Sequence, residues 1–182
     1  MSIEIIIPLL AALGVGGILG ALLNRRFEKQ KQTNEHDIRI FNQSNEILTE
    51  QKLSDISKSH LLSDHSIVND DFVLLTDWCR FFEPAGNQYL DKRIIKENQK
   101  LLGVLDQLTD FIAMNFFTLR DQNPNNKNRY LKPDWNQDWE YDTGPENVAR
   151  YKEYARELKD MAIKVIKQYS EYRLMVKRTL KI

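Results

Sequence analysis

The chain is poor in the residues and motifs that mark common enzymes and nucleic-acid-binding proteins. Its single cysteine excludes an intramolecular disulfide, and its 26 basic residues are balanced by 26 acidic ones, so no bulk positive charge favours a nucleic-acid partner. None of the motifs GxxxxGKS/T, GxGxxG, GxSxG and HExxH occurs. The sequence therefore predicts a protein that is not an enzyme, holds no cofactor and binds no nucleic acid.

Charge is also missing from a long segment near the N-terminus. The 19 residues from Ile5 to Leu23 carry none, and a helix of that length measures about 28 Å, close to the roughly 30 Å hydrocarbon core of a bilayer. A secretory signal would begin with basic residues, whereas Glu4 precedes this run. Its four glycines disfavour a buried helix of a soluble domain, since each costs about 1 kcal/mol relative to alanine. Residues 1–24 are therefore predicted to form a transmembrane anchor.

The charges that follow the apolar run predict its orientation. Basic residues come directly after it, at Arg25, Arg26, Lys29 and Lys31, and none precedes it. Basic residues concentrate on the cytoplasmic side of membrane helices. We therefore expect a single-pass protein of the cell membrane, or inner membrane, with the N-terminus outside and residues 25–182 in the cytoplasm. The lipid bilayer is its first expected partner.

Small residues form a stripe on the predicted anchor. Ala12, Gly16 and Gly20 recur every four residues and so share one face of a helix. Such a stripe lets two helix backbones approach closely in lipid. The sequence therefore predicts a homo-oligomer that associates through these three positions. The alternative is a chance spacing in a glycine-rich span.

Residues 25–62 are predicted to form a long, mostly solvated stalk helix, since no glycine or proline interrupts them. A seven-residue spacing joins four positions of this segment: Phe27, Asn34, Phe41 and Leu48. That spacing is typical of a parallel coiled coil, which would agree with a dimerising anchor. Polar residues in the same seam make packing of the stalk on its own domain an equal alternative.

Residues 63–182 are expected to form a helical cytoplasmic domain, packed as an antiparallel bundle without strands. Asn69 or Asp70 is suited to cap a short helix that ends near Phe82. A final helix of about 35 residues is expected to open at Pro145. Its apolar residues alternate at spacings of three and four: Val148, Tyr151, Ala155, Leu158, Ala162, Val165, Tyr169, Tyr172 and Val176.

A further helix is predicted from about Leu90 to Leu119, where apolar residues recur at spacings of three, four and seven. Its second half is apolar on more than one side, because Phe111, Met114 and Phe117 lie outside the main stripe. We therefore expect this helix to be the central element of the core.

Helical spacing stops at residue 120 and resumes only near 145, which predicts a long loop at 120–145. The loop concentrates Tyr130, Trp135, Trp139 and Tyr141 among acidic residues. Tyrosine and tryptophan are enriched among interface residues that contribute most to binding. We interpret the four aromatics as candidate partner-binding residues. The alternative is that they fold back and cover the ends of the core.

Two groups of chemically active residues are expected to be structural. His60, Asp64, His65, Asp70 and Asp71 fall within twelve residues and have ligand types that suit zinc, but they are more simply explained as a polar turn between helices. No metal site is therefore expected.

Cys79 lies in an apolar run with no histidine near it in the sequence. Burial in such surroundings raises the pKa of a thiol instead of activating it. A packing role is therefore expected.

Charge changes sign along the last helix. Residues 134–157 hold seven acidic residues against three basic ones, whereas residues 164–182 hold six basic residues and one acidic one. Cations near a helix C-terminus interact favourably with the helix dipole, which is the preferred interpretation. The same residues would also suit the anionic surface of a membrane.

Together these features favour an all-α protein: one transmembrane helix, a stalk and a helical domain. The leading hypothesis for its function is a membrane-anchored interaction or scaffold protein whose aromatic loop receives a protein partner. The alternative is an oligomeric effector that forms a pore or leak under the control of its cytoplasmic domain.

Overall fold

The computed structural model describes the backbone of residues 3–119, 127–136 and 144–182, and the side chains of these residues from residue 20 onward. The helices are α1 (Ile3–Ile47), α2 (Glu50–Asp55), a π-helix (Ile56–Asp64), α3 (Asn69–Phe81), α4 (Lys92–Asn115) and α5 (Pro145–Leu180). Two 3-10 turns span Ala85–Asn87 and Pro133–Trp135. The strands are β1 (Ser66–Val68), β2 (Phe116–Phe117) and β3 (Asn128–Leu131). The expected all-α character is confirmed in the sense that most of the chain is helical.

The helix α1 is continuous through the apolar run and into the domain, but it ends earlier than predicted. It stops at Ile47, and Thr49 then caps α2 by accepting a hydrogen bond from Lys52 N at 3.1 Å. The prediction of one helix to residue 62 is therefore wrong. Throughout the described part of the chain, no helix combines the length and apolar character that a membrane span needs.

The last three turns of α1 belong to the domain core. Asp37, Ile40, Phe41, Ser44 and Leu48 are all buried against the rest of the chain. Two positions of the proposed coiled-coil seam, Phe41 and Leu48, are thus occupied by contacts within one chain. This favours the interpretation in which that part of the stalk packs on its own domain.

Helices α4 and α5 pack antiparallel to each other. Tyr89, just before α4, hydrogen-bonds Tyr172, and Gln168 donates to the Glu97 carboxylate at 3.1 Å. At the other end the rings of Phe111 and Tyr154 lie 6.0 Å apart. The start of α4 and the end of α5 therefore lie at one end of the bundle. The predicted seam of α5 is confirmed from Leu158 to Val176, whereas Val148, Tyr151 and Ala155 are only partly buried. The buried residues of the seam are Leu158, Ala162, Val165, Tyr169, Tyr172 and Val176.

Helix α1 also runs antiparallel to α5. Tyr169 donates a hydrogen bond to the carbonyl oxygen of Leu48 at 3.0 Å, and the ring of Tyr172 lies 6.4 Å from that of Phe41. The α5 helix thus proceeds toward the apolar end of α1. The end of the bundle that holds the start of α4 and the end of α5 is therefore the end from which α1 leaves.

The three strands correct the expectation of a domain without strands. They form a small antiparallel sheet in the order β1-β3-β2, in which Ser66 pairs with Tyr130 and Phe116 pairs with Leu131. The central strand comes from the 120–145 segment. The prediction of a loop without regular structure is therefore wrong for residues 128–136, which the sheet fixes to the bundle.

The predicted start of α3 is also corrected. Val68 precedes the helix in extended conformation, and no side chain caps it. Asp70 instead forms an ion pair with Lys127 at 3.2 Å, and Asn69 N donates to the carbonyl oxygen of Lys127. The polar residues that looked like caps thus connect α3 to the segment that leads into β3.

Candidate partner-binding surface

The structure places two of the four predicted partner-binding residues. Tyr130 lies on β3 and Trp135 lies in the 3-10 turn that follows, and both are partly exposed. Trp139 and Tyr141 lie outside the described residues. Among the predicted oligomerisation residues, Ala12 and Gly16 lie on the part of α1 whose surroundings are outside the described residues. Gly20 is described, and no described atom outside its own helix backbone lies within 4 Å of a Cβ placed there.

A lysine surrounded by three aromatic rings marks this end of the domain. The ammonium nitrogen of Lys132 lies 5.1 Å from the ring centroids of both Phe117 and Trp135, and 5.4 Å from that of Tyr154. The three rings come from β2, the 3-10 turn and α5. We refer to these four residues as the aromatic surface. Each cation-π contact at such a partly exposed site contributes about 0.5–1 kcal/mol.

Backbone hydrogen bonds hold the aromatic surface in place. Lys132 N donates to the carbonyl oxygen of Asn115, and Trp135 N donates to that of Lys132, each at 2.9 Å. Lys132 itself adopts a left-handed conformation with φ of 35°, which turns the chain from β3 into the 3-10 turn. Leu131 and Pro133 are buried on either side of it. The side chains of Lys132 and Trp135 are therefore presented by a fixed turn.

The rings also contact one another. Trp135 meets Tyr154 edge to face at a centroid distance of 5.8 Å, and Tyr154 in turn contacts Phe111 of α4. Trp135 therefore covers part of the end of the core and still leaves part of its surface to solvent. The position of Trp135 therefore has features of both interpretations, in which the loop aromatics bind a partner or cover the ends of the core.

A pocket of about 280 Å³ opens on the same surface. It is lined by residues of β2, the turn and their neighbours: Phe117, Thr118, Lys132, Pro133, Asp134 and Trp135. Phe117 is 47% exposed, and Met114, in the last turn of α4, is 72% exposed. Exposed aromatic and methionine side chains beside a concave surface are typical of protein-binding sites.

The exposure of Met114 and Phe117 corrects their assignment to the core. The main apolar stripe of α4 is buried as predicted, and so is Phe111 outside it, but Met114 and Phe117 face solvent. Sequence reasoning therefore missed Phe117, Lys132 and Tyr154 as members of the surface. The apolar excess at the end of α4 is a signal for Phe117 alone, and helical spacing by itself favours burial of that residue.

The polar segment with two histidines is used in contacts within the chain. A ring nitrogen of His65 lies 2.9 Å from the Tyr151 hydroxyl, and the Lys52 ammonium lies 2.6 Å from the Asp71 carboxylate. Among the residues whose positions are described, no group of three or more His, Cys, Asp or Glu side chains is placed to hold a metal.

Cys79 is a partly buried thiol on α3 that we expect to be unreactive at neutral pH. Burial, and then the nearby Asp106 carboxylate, raise the pKa of its thiol to about 12. The thiolate fraction near pH 8 is then about a thousandfold smaller than for an ordinary thiol. We expect iodoacetamide to alkylate Cys79 at least about tenfold more slowly in the native full-length protein than in urea, because the smaller thiolate fraction outweighs the greater nucleophilicity of a thiolate with a raised pKa. Mass spectrometry of timed samples measures this, and comparable rates in the two states would contradict it.

No protein-family model, curated protein or solved structure matches this chain.

Proposed function

We propose that the chain is a non-enzymatic, membrane-tethered interaction or scaffold protein whose helical domain presents the aromatic surface to a protein partner. The observation that carries the proposal is a fixed, concave and partly exposed group of three rings around Lys132. Aromatic side chains of limited flexibility provide contact area at low entropic cost and dominate many interfaces. The described part of the chain offers no competing arrangement of metal-binding residues.

The position of the aromatic surface supports the tether. Helix α4 begins beside α1 and ends at Asn115, next to the aromatic surface. Its 24 residues measure about 36 Å. The aromatic surface therefore lies far from the end of the bundle at which α1 leaves. A partner bound there would meet the side of the domain that faces away from an anchor in residues 1–24.

The membrane anchor itself rests on the sequence. Its support is the uncharged run from Ile5 to Leu23 and the basic residues that follow. Because α1 is continuous from Ile3 to Ile47, the uncharged run and the domain share one helix. We accordingly propose the cell membrane as the location, with the N-terminus outside and the domain in the cytoplasm.

Self-association through Ala12, Gly16 and Gly20 is part of the same proposal. No described atom outside its own helix backbone lies close to a Cβ placed at Gly20, which is compatible with a second helix in close contact. The second candidate, an oligomeric effector that forms a pore or leak, requires the same self-association. The two candidates differ in whether membranes that contain the chain become permeable.

The partner-binding role is tested with a photo-crosslinking amino acid placed at Phe117 of the full-length protein in its membrane. We expect discrete adducts that an additional Trp135→Ser substitution reduces at least tenfold, because loss of a central aromatic contact costs about 2 kcal/mol or more. The partner identified by mass spectrometry is then purified, and its Kd is measured for the wild type and for Trp135→Ser.

A matched control places the same crosslinker at Leu174, which is as exposed as Phe117 but lies near the other end of α5. Adducts shared by both positions would reflect random collisions. If Trp135→Ser leaves the Phe117 adducts and the Kd unchanged, the aromatic surface is not the binding site.

A further inference from the structure

A groove with several basic side chains lies between α1 and the start of α4. Its volume is about 400 Å³. Four of its residues lie on one face of α1, and four surround the first turn of α4: Arg26, Lys29, Gln30 and Thr33, with Leu90, Asp91, Lys92 and Arg93. We call it the basic groove. Its two walls are distant in sequence, so only the fold brings these charges together.

A buried carboxylate fixes the two walls relative to each other. Asp37 of α1 is fully buried and accepts hydrogen bonds from Leu90 N at 2.8 Å and Asp91 N at 3.0 Å. A ring nitrogen of His36 also lies 2.9 Å from the carbonyl oxygen of Gln88. The segment that leads into α4 is therefore held against α1, and the groove has a defined shape.

Within the part of the chain that the structure describes, three cations of the groove have no acidic partner at ion-pair distance. Asp91 is paired with Arg93, whose guanidinium donates two side-chain hydrogen bonds at 2.8 and 3.1 Å and lowers the pKa of the carboxyl. Among the described side chains, no carboxylate lies within salt-bridge distance of Arg26, Lys29 or Lys92. The groove therefore presents uncompensated positive charge to solvent.

Apolar side chains next to the groove point to the kind of partner. Leu22, Leu23, Phe27 and Leu90 are each more than half exposed. Exposed apolar residues among basic ones are typical of segments that lie at a membrane interface, where the rings and aliphatic groups enter the boundary and the cations meet phosphates.

The C-terminus of the chain adds positive charge at the end of the bundle that holds the basic groove. Helix α5 ends there, with Lys177 and Arg178 in its last turn and Lys181 directly after it. All three are exposed. The face at which α1 leaves the domain is thus basic in three separate segments, although the chain as a whole has no net charge.

We propose that the basic groove binds the phosphate headgroups of anionic phospholipids in the bilayer from which α1 emerges. This inference rests on the membrane tether of the proposed function and names the lipid class that the tether meets. Arg26, Lys29 and Lys92 contact the headgroups, and the neighbouring apolar side chains enter the interface. Each basic residue near an anionic surface strengthens association about fivefold. The headgroups thereby fix the tilt of the domain on the membrane.

The test uses the full-length protein in vesicles of phosphatidylcholine, with or without about 30% phosphatidylglycerol, a fraction that gives a strongly negative surface. Flotation reports the tether. Reaction of lysine amines with an acetylating reagent, followed by mass spectrometry, reports the groove. We expect anionic lipid to slow acetylation of Lys29 and Lys92 by at least about threefold, because ammonium groups in contact with phosphate are less accessible. Added salt should remove this protection.

Two controls separate the groove from simple proximity to the bilayer. Lys31 lies at the same height of α1 but does not line the groove, and its protection should be weaker than that of Lys29. In a variant with Arg26→Gln and Lys92→Gln, protection of Lys29 should be lost. A charge-matched variant with Lys152→Gln and Lys159→Gln, on the half of α5 far from the groove, should leave it unchanged.

The outcomes distinguish this inference from the tether. If the protein floats with both kinds of vesicle but Lys29 and Lys31 react alike, the tether stands and the groove does not bind lipid. If it floats only with anionic vesicles and Lys29 is protected, the groove stands and the anchor is wrong. Equal protection by inorganic phosphate in neutral vesicles would make the groove a site for free phosphate and overturn the assignment to lipid.

Discussion

Replacing Trp78 with alanine is expected to lower the free energy of unfolding by about 3–5 kcal/mol, the range for loss of a buried tryptophan. Trp78 on α3 is 1% exposed and packs edge to face on Phe82 and on Tyr172 of α5. Its indole nitrogen donates to the carbonyl oxygen of Ser44 on α1 at 3.0 Å. Truncation would therefore leave a cavity where three helices meet and a buried acceptor without its donor. Urea unfolding of the full-length protein in a mild detergent, followed by far-ultraviolet circular dichroism, measures the change.

Val73 on the same helix provides the control for this experiment. It is exposed, so Val73→Ala should change the free energy of unfolding by no more than about 0.5 kcal/mol. If Trp78→Ala lowered the free energy of unfolding by less than about 1 kcal/mol, the aromatic cluster would contribute little, and the packing of the Trp78 side chain between α1 and α5 would be in doubt.

The sequence predicts best the parts of the fold that depend on local spacing. The buried seam of α5 follows its apolar spacing through Val176, because an uninterrupted alternation of three and four fixes one helical face. The main stripe of α4 is predicted for the same reason. The end of α1 is not predicted from the sequence, since the cap at Thr49 interrupts a segment without glycine or proline.

The sheet could not be predicted because its information is not local. Strands of two to four residues carry too short a pattern to be recognised, and β3 is stabilised by segments that lie far from it in sequence. The same cause explains the partial success at the aromatic surface. Trp135 could be identified from the sequence because aromatic residues are concentrated among acidic ones around it. Phe117 and Tyr154 become its neighbours only when β2 and α5 meet the turn.

The two surfaces proposed here lie at opposite ends of one bundle. The basic groove is at the start of α4, and the aromatic surface is beyond its end. A domain of this kind would turn the basic groove toward the bilayer and the aromatic surface toward a partner. Because α1 packs in the core from Asp37 onward, the direction of its N-terminal part and that of the domain are coupled.

That coupling makes Asp37 the second site at which a large effect is expected. Asp37→Ala should lower the free energy of unfolding by about 2–4 kcal/mol, because two backbone N–H groups lose a charged acceptor. The lost bonds are those that hold the start of α4 to α1. Amide hydrogen exchange at Leu90 and Asp91 should therefore accelerate more than exchange in the middle of α4. Denaturation and exchange measured by mass spectrometry on the full-length protein test both expectations.

Two substitutions make the interpretation specific. Glu35→Ala removes an exposed carboxylate from the same stretch of α1 and should change stability by no more than about 0.5 kcal/mol. Asp37→Asn keeps one oxygen acceptor and should lie between the wild type and Asp37→Ala. If Asp37→Ala destabilised the protein without faster exchange at Leu90 and Asp91, its role would be general packing. If both change together, the carboxylate is what holds α1 to the start of α4, because it is fully buried and accepts hydrogen bonds from both backbone N–H groups there.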